Sequence, residues 1–301
     1  MPPEVKAGYL AYRAAYDPRP IATGPFVSAR DVAGAIRDAR AARAPLSVVR
    51  LGDGEGCGLF WGIEGFGAVG DFIWARQMSN QFGPRAWSAD EMAALQAELW
   101  RAVEGADIVT AARRPQLHAR LVAEAPNAVR DIRGFIGATF VQHAFTAASL
   151  PARRRIYPET WLHVALEPMM PDLCAGAELV AVSCRGAAFH AGLARVLGAR
   201  LAGEVHVPGA DESGDLVGAP LYPDALHRVR AEVMAAAGPG VVILIAAGIC
   251  AKALCVDAAA RGAVALDVGS MMDVWAGKGV RAYHDDGFVA ARRVQAGGAQ
   301  S

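Results

Sequence analysis

Lysine is scarce: of the 30 basic residues in this 301-residue chain only Lys6, Lys252 and Lys278 are lysines, and the other 27 are arginines. A single arginine is therefore a weak signal here, whereas each lysine is worth placing. An excess of either charge is also missing, since 30 acidic residues balance the 30 basic ones. Without a long-range basic field the chain lacks the usual means of drawing in nucleic acid or an anionic membrane surface, so no nucleic-acid partner is expected. Long apolar runs are absent as well. The longest, Val241 to Ala251, stops at Lys252 and is far shorter than the ~20 residues of a spanning helix. Glu4, Lys6 and Arg13 interrupt the first residues, which excludes a signal-peptide core and makes the cytoplasm the expected location. The five cysteines, Cys57, Cys174, Cys184, Cys250 and Cys255, are odd in number and form no Cys-x-x-Cys pair. That pattern excludes a disulfide framework and a zinc ribbon and leaves buried thiols. None of the seven histidines forms a His-x-His or i, i+4 ligand pair. Walker-type phosphate loops, Gly-x-Ser-x-Gly elbows and His-Glu-x-x-His helices are missing too, which removes the common NTPase, hydrolase and zinc-protease readings.

What the chain does have is 53% hydrophobic and only 20% charged residues, enough for one or two full cores. Apolar segments of strand length alternate with amphipathic segments of helix length. Strands are predicted at Leu46 to Arg50, Asp107 to Ala111, Leu179 to Ser183, Glu204 to Val207, Val241 to Ala246 and Ala263 to Asp267. Helices are predicted at Ala29 to Arg43, Ala89 to Glu104, Gln116 to Glu124, Gly186 to Leu197, Asp224 to Ala237 and Cys250 to Ala260. This order predicts an α/β fold, a mainly parallel, Rossmann-like sheet with helices on both faces. It is read as one domain over residues 1–301 with a helical insertion at about 60–130. Gly- and Pro-rich stretches at Pro208 to Pro223 and Gly269 to Gly287 follow strand ends, where open α/β sheets carry their ligand loops.

Three strand ends carry candidate chemistry. The first is Arg50-Leu51-Gly52-Asp53-Gly54-Glu55-Gly56. Glycines flanking Asp53 and Glu55 permit a turn with φ > 0 that brings both carboxylates toward one hard cation, Mg²⁺ or Mn²⁺, completed by substrate phosphates. An acidic turn capped by its own Asp is the structural alternative. The Gly52, Gly54, Gly56, Gly58 spacing does not match the dinucleotide fingerprint. The second end is Val241 to Ala247 followed by Gly248 and Lys252, where a helix N-terminus suits a diphosphate. The third is Asp267-Val268-Gly269 leading to Asp273, with Asp267 and Asp273 placed as base, sugar ligand or cap. Arg185, after the strand ending at Ser183, is a further bidentate phosphate clamp by type.

Together, Arg50-x-Gly52-Asp53-Gly54-Glu55, Gly248-x-x-Ala251-Lys252 and Leu266-Asp267-Val268-Gly269 resemble the GT-D-type glycosyltransferases. The resemblance covers roughly residues 45–60 and 240–277. Where some members have Gly-Pro-Thr-Ala-Lys this chain has Gly248-Ile249-Cys250-Ala251-Lys252, and Gly269-Ser270 stands in place of Gly-His. The resemblance implies Asp53 and Glu55 as ligands of a divalent metal and of a nucleotide-sugar diphosphate, with Asp267 added as a catalytic candidate. Arg50, Gly52, Gly54, Arg185, Gly248, Lys252, Gly269 and Asp273 are the donor-binding candidates. The activity it implies is transfer of a sugar from a nucleoside-diphosphate sugar, a UDP-sugar first, to a glycan or glycoprotein acceptor. A Mg²⁺-dependent phosphohydrolase or nucleotidyltransferase and a non-catalytic nucleotide-sugar-binding module use the same loop and are its rivals.

Overall fold

The computed structural model describes residues 2–15, 26–62, 67–110, 155–158, 161–209, 220–279 and 285–294, the side chains of 12–15, 53 and 60 aside. The helix expected at Gln116 to Glu124 lies outside the described residues, as do Arg153, Arg154, His118, His143 and His284. The chain divides into two compact units, residues 1–28 with 50–160 and residues 29–49 with 161–301.

In chain order the elements are α1 (Pro3–Ala15), α2 (Ala29–Ala41), β1 (Leu46–Val49), α3 (Asp53–Phe60), α4 (Gly67–Phe82), α5 (Ala89–Gly105), β2 (Ile108–Thr110) and β3 (Arg155–Tyr157). There follow α6 (Leu162–Leu166), α7 (Met170–Cys174), β4 (Glu178–Ser183), α8 (Ala187–Val196), β5 (Arg200–His206) and α9 (Leu226–Ala236). The chain continues through β6 (Val241–Ile245), α10 (Ala251–Ala260), β7 (Val264–Asp267), α11 (Met271–Trp275) and α12 (Asp286–Ala290). Among the described residues the strand ladders β1–β7, β2–β3, β4–β5, β4–β6 and β6–β7 are all parallel. No helix among the described residues is long and apolar enough to cross a membrane.

The second unit is the regular α/β half. Its strands lie in the order β1-β7-β6-β4-β5. β6 and β4 are buried along nearly their whole length, as expected of parallel strands covered on both faces. β5 alternates exposed and covered residues along an edge, and it starts at Arg200 rather than at Glu204 because edge positions admit polar side chains. From β4 the chain moves outward to β5, then crosses back to β6 and on to β7. Right-handed crossovers put α8 on one face and α9 and α10 on the other, and α9 packs against α10. The direction reverses between β4 and β6, and a doubly wound sheet opens its ligand crevice beyond the carboxyl ends of that strand pair.

The first unit joins the parallel pair β2 and β3 to α1, α3, α4 and α5, with α3 packed on both α4 and α5. The loop expected over Gly52 to Glu55 is instead the start of α3. Gly52 is its N-cap in extended conformation, and the glycines of this stretch are not in the positive-φ region. Their smallness serves packing. A Cβ on Gly54 would stand 2.7 Å from Gln77 Nε2, and one on Gly58 would stand 2.6 Å from Leu99 Cδ1 and 2.7 Å from Trp74 Cη2.

Alanine substitution separates these roles. At Gly34 in α2, where nothing stands within 4 Å of the added carbon, Gly34→Ala is expected to stabilise by up to about 1 kcal/mol. Gly58→Ala reverses the sign and costs about 1–3 kcal/mol through overpacking. Urea denaturation of the two variants measures the difference, and a stabilised Gly58→Ala would contradict the packing role.

Candidate functional site

In the first unit the polypeptide entering α3 is held from two sides. Thr110, wholly buried at the end of β2, accepts the Leu51 N–H at 2.8 Å and returns its own proton to the Leu51 carbonyl at 3.3 Å. Gly52 N–H donates to Glu55 Oε2 at 2.8 Å, so the Glu55 carboxylate, 9% exposed, closes the first turn of the helix. An anion there meets the positive end of the helix and its unpaired amides. Asp53 is the first residue of that turn, and its side chain lies outside the described residues.

In the second unit the strand ends bring the remaining candidates together. Gly248 at the end of β6 and Gly269 at the end of β7 have φ of +54° and +46°, a conformation that tolerates Gly and strains a side chain. Lys252, two residues into α10, turns inward: its Nζ lies 3.0 Å from Asp267 Oδ2 and donates to the Gly248 carbonyl at 3.0 Å. Their side chains are 3% and 0% exposed. The opposite charges neutralise each other in the interior, and Lys252 binds the carbonyl of the same glycine turn that the sequence singles out. A small pocket has Asp267 and His163 in an otherwise apolar wall with Val48, Leu162, Leu266 and Trp275.

A second ion pair at these strand ends is partly exposed. Arg185, in the turn after β4, is 14% exposed and sets its guanidinium 2.5 Å from Asp273 Oδ1 at the start of α11. This contact reaches from the end of β4 to the segment after β7, two strands away in the order β7-β6-β4, and so crosses the carboxyl end of β6. Arg185 Nε is buried and finds no hydrogen-bond partner among the described residues. Burial pushes the neighbouring Cys184 thiol above its usual pKa, opposed by the charge of Arg185, reinforced by Asp273 and opposed again by Lys278. Lys278 therefore belongs to the same cluster, a residue that sequence spacing did not mark. Four of the five cysteines are buried and none is in a disulfide, in keeping with their reading as core thiols.

A further group of three residues was missed. His190, on α8 and 1% exposed, has Ser183 Oγ 2.7 Å from Nε2 and Glu204 Oε2 2.9 Å from Nδ1. No spacing rule links positions on a strand end, a helix and the following edge strand.

No protein-family model and no curated protein matches the chain. Two solved structures are similar in outline. One, of domain of unknown function 1792, described as highly conserved and as having a distinct glycosyltransferase fold, is 15% identical over 88% of this chain and 82% of its own, with a TM-score of 0.48. A selenomethionine-substituted structure of the same domain is 16% identical over 82% and 78%, with a TM-score of 0.42. Likenesses at this level carry no functional weight, which rests on the residues.

The buried pair makes a direct prediction. Lys252→Met and Asp267→Asn each strand one partner and are expected to cost about 3–5 kcal/mol, whereas Lys252→Met combined with Asp267→Leu costs less than either. Equilibrium denaturation tests this, and single variants within 1 kcal/mol of the parent would contradict the pairing.

Proposed function

We propose that the chain is a metal-dependent glycosyltransferase that moves a sugar from a nucleoside-diphosphate sugar, with UDP the first nucleotide to test, to a hydroxyl of a glycan or glycoprotein. The observation that carries the reading is the segment Arg50-Leu51-Gly52-Asp53-Gly54-Glu55 at the first turn of α3, where two carboxylates are offered within three residues. Among the described residues no group of three or more His, Cys, Asp or Glu could hold a metal ion. A hard cation that keeps its waters and takes phosphate oxygens requires no such cage. Glu55, whose carboxylate accepts the Gly52 N–H, is when ionised an oxygen ligand of the type such a cation takes. By residue type, Asp53 and Glu55 are the residues that would hold Mn²⁺ or Mg²⁺. When bound, such an ion supplies positive charge against a leaving diphosphate.

The chain's own residues have distinct tasks in this reading. Arg185, oriented by Asp273, presents a planar cation to phosphate oxygens, and Lys278 adds a second charge. Gly248 and Gly269 keep side chains away from the strand ends, so that backbone can approach a ligand. Lys252 and Asp267, spent on each other, act at one remove by fixing the Gly248 turn.

Nucleoside diphosphate release from UDP-, GDP-, CDP- and ADP-sugars, with and without Mn²⁺ and a glycan acceptor, tests the proposal. Release that requires both metal and acceptor is expected. Glu55→Gln keeps an acceptor for Gly52 N–H while removing the charge. It should melt within a few degrees of the parent and lose about 10²-fold or more in turnover, the scale of a lost charge-stabilising group. Full turnover in that variant would overturn the assignment of Glu55, and acceptor-independent phosphate release would replace a transferase with a phosphohydrolase.

A further inference from the structure

We infer that His190 is a positioning residue for Arg185, acting through Ser183; the inference rests on the reading of Arg185 as the ligand of the donor diphosphate. The hydrogen bonds form a continuous series when the ring carries its proton on Nδ1. Ser183 Oγ accepts the Arg185 N–H at 3.1 Å, so its own proton is free to be given to His190 Nε2, 2.7 Å away. Nδ1 then carries the imidazole proton and gives it to Glu204 Oε2 at 2.9 Å. A backbone amide, a hydroxyl, an imidazole and a carboxylate are thus joined in series, and each donor has an acceptor.

The chain of bonds has the burial of a fixed device rather than of a solvated contact. Ser183 and His190 are each 1% exposed, and only Glu204, on the edge strand, reaches solvent. Phe189 packs edge-on against the imidazole at 5.7 Å. Ser183 is the last residue of β4 and Arg185 is two residues beyond it, so the hydroxyl pins the backbone from which the guanidinium reaches Asp273. Among the described residues His190 Nε2 is the acceptor to which the Ser183 hydroxyl can donate, so removing the imidazole frees the hydroxyl to rotate and loosens its hold on the Arg185 turn. The Ser–His–carboxylate series invites comparison with a nucleophile triad. Burial argues against that use, because a substrate carbonyl has no path to a 1% exposed serine.

The test is a double-mutant cycle on the full chain, read by calorimetric titration with UDP and with inorganic pyrophosphate in the presence of Mn²⁺. His190→Phe is expected to weaken UDP binding about tenfold in the parent and to have no further effect in Arg185→Ala. His190→Gln, whose side-chain carbonyl can accept from Ser183, is expected to recover most of the affinity. Loss of the same factor in both backgrounds, or no rescue by Gln, would reduce His190 to a structural role and overturn the inference. Should His190→Phe fail to fold, Ser183→Ala gives the same cycle with a smaller change in volume. Arg185→Ala without effect on affinity, or a parent protein that binds neither probe, would instead overturn the ligand role of Arg185, a distinct failure.

Discussion

Parallel pairing is the constraint from which the rest of the second unit follows. Parallel strands need a crossover between them, so β4, β6 and β7 all end at the same edge, each followed by a short turn and a helix. Residues far apart in sequence, Arg185, Gly248, Asp267 and Asp273, are gathered there because each sits within a few positions of a strand end. The reversal of winding between β4 and β6 then keeps α8 and α10 on opposite faces, leaving the space beyond those two strands uncovered by either crossover.

The charges at this edge are sorted by burial. Lys252 and Asp267 sit in the interior, where an unpaired charge would be costly and a matched pair with an added carbonyl contact is tolerated. Arg185 and Asp273 are partly open to solvent at 14% and 28%, where the guanidinium retains donors beyond those spent on Asp273. The same division appears in the first unit, where Thr110 and Glu55 use their polar atoms to fix the backbone of residues 51 and 52. In both units buried polar groups hold short strand-to-helix turns in place.

The α/β architecture was legible because buried parallel strands are written as unbroken apolar runs, such as Val241–Ile245, separated by helical periods. The helix Ala89–Gly105 was legible as an amphipathic segment of helix length, and the reciprocal bonds of Ser88 and Glu91 at its start came only with the structure. The Gly52 to Glu55 stretch misled because glycine has two uses that look alike in sequence. Its packing partners Gln77, Trp74 and Leu99 lie 16 to 41 positions from the glycines they touch, so nothing local separates a tight turn from close helix packing. Lys252 and Asp267 were each picked out as sites, but their mutual bond depends on how α10 lies on β7. Ser183, His190 and Glu204 meet for the same reason, and only the folded backbone puts them in order.

The central claim is that the chain takes a nucleoside diphosphate together with a divalent metal. The most direct measurement is a thermal-shift comparison of UDP, GDP, CDP and ADP, each with and without Mn²⁺. A ligand at ~100 times its dissociation constant adds about 2.7 kcal/mol, a rise of several degrees for a chain of this size. One nucleotide that raises the melting temperature by that amount only when Mn²⁺ is present is the expected result. No shift with any nucleotide under either metal condition would contradict the claim and leave the Gly52 to Glu55 turn as a helix start and no more.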